Sequence, residues 1–296
     1  MRETEIVERI RTLALKNYRD KALRLGIGDD CAILRPRSKK EDLVFTSDFV
    51  LEDRHFTLST HSPAAIGEKA LARSLSDLAA MGAEPVFCLV SLAVPTNLNG
   101  PFVNRFYQGL LRTANRHSIS LAGGDLACFD KVIADVTCCG RVPHGKALLR
   151  GNAKPGQRIF VTGKLGAAAH AFAAGRPILP VPRLEAGIAL RKLGISAAID
   201  LSDGISLDLA RLCRESNVAA EVSSNYLPIA PHASLDEALN GGEDYELLFT
   251  APPKLKVPPA IGKLTVSEIG MITRGSIGCV LLDGQPIQSK GFDHFA

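Results

Sequence analysis

Apolar residues recur at helical spacing over 3–16, where Ile6, Val7, Ile10, Leu13 and Ala14 share one face. The same period is strongest over 63–81. Ile66, Ala70, Leu71, Leu75, Leu78 and Ala79 form a stripe there; Pro63 suits the first turn and Gly82 the position past the last. Between these helices the spacing predicts a strand over 43–46, ending at Ser47-Asp48. A nearly unbroken apolar run over 86–94 predicts a buried strand. A helix over 101–116 and strands over 120–122 and 132–139 follow.

The texture changes at 140–156, which is rich in Gly, Pro, Asn and Lys without a period. This predicts a first domain over 1–140, a linker over 141–156 and a second domain over 157–296. In the second, strands are expected over 159–162, 197–201, 245–250 and 280–282, and helices over 166–175, 184–193 and 208–215. Pro177, Pro180 and Pro182 mark a connector. Strands alternating with helices indicate an α/β or α+β fold. No repeat of solenoid length is present.

Composition narrows the function classes. The 296 residues suffice for about two domains. A net charge of +4 without a dense basic stripe, no Trp and 5% aromatics argue against a nucleic-acid partner. The longest apolar run is far shorter than the ~20 residues that span a bilayer, so no membrane partner is expected. Seven scattered cysteines without a C-x-x-C pair suggest reduced thiols in a cytoplasmic protein.

The candidate chemistry lies in carboxylates set beside glycine or hydroxyl residues. They are Gly26-Ile27-Gly28-Asp29-Asp30, Thr46-Ser47-Asp48, Ser76-Asp77, Gly123-Gly124-Asp125, Ser202-Asp203-Gly204 with Asp208, and Gly241-Gly242-Glu243-Asp244. Taken singly, each reads more readily as a turn or helix cap than as a site. Asp77 differs, because it falls inside a helix beside Leu75 and Leu78. It either pairs with Arg73 one turn earlier or faces a cation. Gathered in one place, these loops need Mg2+, a hard ion that shares oxygen ligands with phosphates. Glycines let backbone N–H groups approach phosphate oxygens, and Arg150 is a candidate basic partner. The pattern predicts magnesium-dependent phosphate chemistry. Gly140 to Ala147 has the spacing of a P-loop, but Ala147 replaces the Ser or Thr ligand and no helix follows.

These motifs, with Lys69-Ala70-Leu71-Ala72 through Ala83, Gly241 to Leu247 and the terminal Gly291-Phe292-Asp293-His294-Phe295, resemble the thiamine-monophosphate kinases in order along nearly the whole chain. The resemblance implies a two-domain fold shared with aminoimidazole ribonucleotide synthetase, whose N-terminal domains pair in a homodimer and close a β-barrel. It implies transfer of the ATP γ-phosphate to thiamine monophosphate, with several Mg2+ ions. Asp30, Thr46, Ser47, Asp48, Asp77, Asp125, Asp203 and Asp208 correspond to magnesium ligands. Gly124, Asp125 and Arg150 correspond to ATP contacts, and His55, Glu243 and Phe292 to contacts with thiamine monophosphate. Phe292 stands where Tyr or Trp is common, and the 175–182 connector is shorter than usual. No catalytic base is expected, since a phosphate nucleophile is already ionised. The alternatives are a sister enzyme of the same fold or a non-catalytic nucleotide-binding regulator. Selenophosphate synthetase, another enzyme of this fold, needs a Cys or Sec in an N-terminal glycine-rich loop, and the hydrogenase-maturation enzyme a C-terminal Cys. This chain has neither.

Overall fold

The computed structural model describes residues 3–15, 22–36, 40–176, 178–288 and 290. Helix α1 (Glu3–Leu15) leads into a six-stranded sheet. Its strands are β1 (Leu23–Leu25), β2 (Ala32–Leu34), β3 (Glu41–Leu51), β4 (Glu84–Val94), β5 (Ser120–Cys128) and β6 (Ile133–Pro143), ordered β1-β2-β3-β6-β4-β5. Helices α2 (Pro63–Ala80) and α3 (Pro101–Arg116) cover one face. Ser62 starts α2, its hydroxyl accepting the Ala65 N–H at 3.2 Å, and Gly82 ends it at φ +64°.

Glycines let α2 and α3 touch backbone to backbone. A Cβ on Gly67 would lie 2.0 Å from the Phe106 carbonyl oxygen, and one on Gly109 would lie 1.9 Å from that of Ala64.

Strand β3 is longer than the pattern predicts. Thr46, Ser47 and Asp48 read as a strand end, yet they sit mid-strand and pair with Cys138, Thr137 and Val136 of β6. Alternation sends Thr46 and Asp48 toward α2 and Ser47 to the opposite face. Ser47 there bonds Asp135 at 2.8 Å and Thr137 at 3.0 Å. That outer face carries Phe49 and Leu89, both exposed, and β5 ends the sheet with nearly every residue exposed.

The second half begins with β7 (Arg158–Thr162), α4 (Ala167–Ala173) and α5 (Leu184–Leu193). Then come β8 (Ala197–Asp200), α6 (Ile205–Glu215), β9 (Ala219–Val222), α7 (Leu235–Asn240), β10 (Leu247–Ala251), β11 (Ala260–Ile261), β12 (Leu264–Thr273), β13 (Val280–Leu282) and β14 (Gln285–Pro286). Its sheet runs β14-β13-β9-β12-β7-β10-β8, with β11 on β12, and is antiparallel except for β13 on β9. Strands β9 and β12 and helix α7 escape the sequence pattern, and α6 starts at Ile205 rather than 208. The expected boundary at 140 falls inside β6, which continues to Pro143.

The halves share a core. Ile159, Val161 and Leu248 pack with α6, while Phe160, Leu247 and Phe249 face the core that holds α2 and α5. Phe160 and Phe249 stack with centroids 5.3 Å apart. Gly187 of α5 sits so close to α2 that its Cβ would be 1.9 Å from the Ala79 oxygen. No helix of the described residues is long and apolar enough to cross a membrane.

Gly109→Ala is expected to destabilise the protein by about 1–3 kcal/mol, because the helices must separate to admit the methyl group. Urea denaturation checks this; an unchanged midpoint would show that the α2–α3 contact is not tight.

Candidate active site

Three carboxylates far apart in sequence converge where α2 meets the second sheet. Asp30 precedes β2, Asp77 lies on α2 and Asp200 ends β8, and each offers an oxygen within 4.8 Å of the other two. Asp30 and Asp200 are buried and Asp77 is half-buried. Burial, reinforced by the neighbouring carboxylates, holds the pKa of Asp77 and Asp200 well above the ordinary range. Burial and Asp30 push Asp29 up to about 8.

Few donors answer this charge. Arg150 grips Asp30 bidentately, at 2.7 and 3.0 Å, and its backbone N–H binds Asp29 at 2.9 Å. Burial opposes the Arg150 charge, but Asp30, Asp29 and Asp200 outweigh it and raise its pKa. The Ser76 hydroxyl donates to Asp200 at 2.7 Å, and that of Thr46 donates to Asp77. Asp48 lies beside Asp77 and Ser74, its pKa raised chiefly by burial.

Thus Asp30, Thr46, Asp48, Asp77 and Arg150 lie together. Asp77 does not pair with Arg73 among the ion pairs of the described residues; Arg73 goes to Glu243 instead. Asp203 pairs with Arg211 at the edge of the cluster. Asp208 has a different task. Its carboxylate accepts the N–H groups of Asp203 and Gly204, at 3.0 and 3.1 Å, and an Arg211 N–H at 2.9 Å. It therefore shapes the 202–204 loop, and burial lifts its pKa to about 7. Ser47 spends its hydroxyl on Asp135 and Thr137. Gly124 and Asp125 lie on β5, with β6 and β4 between them and β3. Asp125 is exposed and accepts only the Leu126 N–H, at 2.9 Å, among the bonds of the described residues. At Gly124 a Cβ would meet the Val90 oxygen at 1.9 Å, so no other residue fits.

Glu243 sits past α7 at φ +67° and reaches back to α2. Lys69 Nζ binds it at 2.7 Å and Arg73 Nη1 at 3.1 Å. Lys69 also donates to the His55 carbonyl at 2.5 Å, which brings His55 to the same place. The His55 ring accepts the Leu51 N–H at 2.9 Å. Phe292 lies outside the described residues.

Sequence reasoning missed Asp200, Lys69, Arg73 and Tyr245. Asp200 had a signal: it is the one charge in the apolar run 197–201. Lys69, Arg73 and Asp77 had one too, since their spacing of four puts them on one face of α2.

A cleft of about 1770 Å³ opens onto this seam, lined by the 26–30 turn, Thr46, Ser47, Arg150, Asp203 and residues of α1 and α6. Arg11 of α1 pairs with Glu215 of α6 beside it, at 2.7 and 3.1 Å.

A β-sheet domain backed by two helices, joined through a shared core to a second α/β half with acidic residues at the seam, defines the class. Residues 28–142 match the family model for AIR synthase related protein, N-terminal domain. Over the full length the likeness sharpens. The chain is 37% identical over 304 residues to the thiamine-monophosphate kinase of Escherichia coli K12, covering 92% of each. It is 32% identical to that of Bacillus subtilis, covering 97% and 98%. A solved complex of AaThiL with AMPPCP and TMP superposes at a TM-score of 0.85 with 30% identity over 100% and 99% of the chains. The Stenotrophomonas maltophilia kinase superposes at 0.76 with 35% identity over 95% and 96%. The chain belongs to the thiamine-monophosphate kinase family. Hydrogenase maturation protein HypE, 16% identical at a TM-score of 0.72, shares the fold alone.

A raised folded-state pKa means that the native protein holds the proton more tightly than the unfolded chain. Stability therefore falls as pH rises above the unfolded value near 3.8, and the loss is complete only above the folded pKa. Asp200→Asn removes that penalty. In the presence of a chelator its Tm is expected to exceed that of the native protein at pH 8, with the gap closing toward pH 4. A gap independent of pH would refute the burial of charge at Asp200.

Proposed function

We propose that this chain transfers the γ-phosphate of ATP to thiamine monophosphate. The observation that carries the reading is the Asp30–Asp77–Asp200 convergence, in a chain of this family. AaThiL was solved with AMPPCP and TMP, which supports ATP as the co-substrate here. An oxygen of the acceptor phosphate forms the new P–O bond. The bond from the γ-phosphorus to the β–γ bridging oxygen breaks, leaving ADP and thiamine diphosphate.

The residues fit Mg2+. The donors are all hard oxygens, and burial together with mutual repulsion leaves the set short of positive charge. Asp30, Asp77 and Asp200 would hold the ion or ions, with Asp48, Thr46, Ser47 and Asp203 around them. Magnesium, when bound, supplies the charge that balances phosphate oxygens during transfer. The chain itself does the positioning. Arg150 is held next to Asp30 where a nucleotide phosphate can share it, and Asp208 fixes the loop that carries Asp203. Thr46 and Ser76 orient Asp77 and Asp200. His55, Glu243 and Phe292 serve the thiamine side. The reading includes a cytoplasmic location, supported by seven free cysteines.

The reading also includes two domains, divided between β6 and β7, and a homodimer. The outer edge of β5 is unpaired among the described residues, and Phe49, Leu89, Leu126 and Phe129 are exposed on or beside the first sheet. A second copy closing the sheet into a barrel would bring its β5 toward β3. Asp125 of the partner subunit, with its Gly124, would then complete the site. This accounts for the separation of Asp125 from Asp77 by whole strands within one chain.

With ATP, Mg2+ and thiamine monophosphate the protein is expected to yield thiamine diphosphate, and with bare thiamine no phosphorylated product. Mg-ATP at a hundredfold excess over Kd is expected to stabilise the fold by about 2.7 kcal/mol. An unshifted melting curve would count against the metal site.

Mixing Asp77→Asn with Asp125→Asn protein tests the shared site. Each alone is expected to lose activity by orders of magnitude. Mixed dimers hold one site with both carboxylates and are expected to recover part of it. Failure to recover, with subunit exchange shown by sedimentation of tagged copies, would place Asp125 in its own chain's site.

A further inference from the structure

Buried polar atoms without a hydrogen-bond partner are rare. Among the described residues five side-chain atoms are in that state, and three of them belong to residues that interact with Glu243: Tyr245 Oη, Arg73 Nε and His61 Nε2. Tyr245 is 2% exposed and His61 5%. Tyr245 lies under the Arg73 guanidinium, whose carbon is 5.7 Å from the ring centroid. Arg73 interacts electrostatically with Asp48, Glu243 and Asp203, and Tyr245 with Glu243, Asp48 and Asp200. Arg73 and Tyr245 therefore lie near both the carboxylate cluster and Glu243, and His61 lies near Lys69 and Glu243. They are all donors or potential donors, and among the described residues the anion paired to this group is one carboxylate, gripped at 2.7 and 3.1 Å by Lys69 and Arg73. That carboxylate has two oxygens; a phosphate has three to offer and matches a larger donor set.

We propose that Arg73 and Tyr245, with Lys69 and His61 beside them, form the subsite for the phosphate of the acceptor, and that Glu243 fills it in the ligand-free protein. This rests on the phosphotransfer reading above and assigns the residues that select a phosphorylated over an unphosphorylated thiamine. On α2, Arg73 stands one turn before Asp77, so a phosphate held there lies next to the metal site. Glu243, whose side chain is 30% exposed, can leave toward solvent when the phosphate enters and accept a donor from the substrate's organic part.

The test compares thiamine monophosphate with thiamine, by thermal shift and by competition binding, in the native protein and in Tyr245→Phe, Arg73→Lys and Arg73→Met. Tyr245→Phe removes one unpartnered oxygen and keeps the ring. Its ligand-free Tm is expected to hold or rise. Its preference for thiamine monophosphate over thiamine is expected to fall by about tenfold, with Mg-ATP binding unchanged, since a hydrogen bond to a charged group is lost. Arg73→Met is expected to abolish the preference and Arg73→Lys to restore part of it. Equal weakening of both thiamine compounds in Tyr245→Phe, or an unaltered preference in both Tyr245→Phe and Arg73→Met, overturns the subsite. So does a native protein that binds thiamine as tightly as its phosphate. The readings fail separately: a native protein that binds thiamine monophosphate selectively but forms no diphosphate overturns the transfer and leaves the subsite standing.

Discussion

Charge that cannot escape to water governs this molecule. Asp30, Asp77 and Asp200 meet at the seam of its two halves, and each loses hydration without gaining a full complement of donors. The fold tolerates this because the surrounding structure is closely held. Phe160 and Phe249 lock the second sheet against the core that α2 occupies, and Gly187 lets α5 sit directly on α2. A looser seam would let the carboxylates separate and hydrate. The rigidity of the apolar core is thus what keeps the acidic centre assembled before any ligand arrives.

Helix α2 joins these two requirements in one element. Ile66, Ala70, Leu71, Leu75 and Leu78 are fully buried along it, while Lys69, Arg73 and Asp77 recur every four residues on another face. The helix is therefore both the main apolar support of the first sheet and the ruler along which two cations and a carboxylate of the acidic cluster are spaced. Its glycine at Gly67 follows from the same demand, since α3 must approach closely enough to bury the apolar face completely.

The residues that were legible in the sequence are those whose neighbours announce them. Asp30, Asp48 and Asp203 stand beside glycine or hydroxyl residues, and Asp77 is anomalous in an apolar stripe. The helices over 63–81 and 101–116 were legible from period alone and match α2 and α3 closely. What was hidden depends on tertiary contact. Asp200 looks like a strand residue until β8 is laid against α2, and Asp208 looks like a ligand until its oxygens are seen to be spent on the Asp203 and Gly204 amides. Strand β3 was truncated because Thr46, Ser47 and Asp48 resemble a turn; only pairing with β6 shows that polar residues continue the strand. Strands β9 and β12 were missed because alternation in them is interrupted, at Gly270 by a register shift that backbone pairing absorbs.

The two cations nearest the acidic centre share one logic. Arg150 lines the cleft and is bound to Asp30; Arg73 is bound to Glu243. An arginine left alone in such a place would be costly to bury, and a carboxylate left alone more so. Pairing each with the other sign removes the cost of burying the arginines alone, while Asp77 and Asp200 stay without a paired cation among the described residues. Under the proposed function, a phosphate entering at Arg73 exchanges one anion for another rather than adding charge to a buried pocket. The difference lies in the partner. Asp30 is buried within the carboxylate cluster, so under the proposed function Arg150 is shared between protein and nucleotide. Glu243 is part-exposed at a positive φ, so the same proposal lets it give up Arg73 to the acceptor. In the proposed reading the nucleotide side is thereby built for retention and the acceptor side for exchange, which suits a reaction whose acceptor must enter carrying charge and leave carrying more.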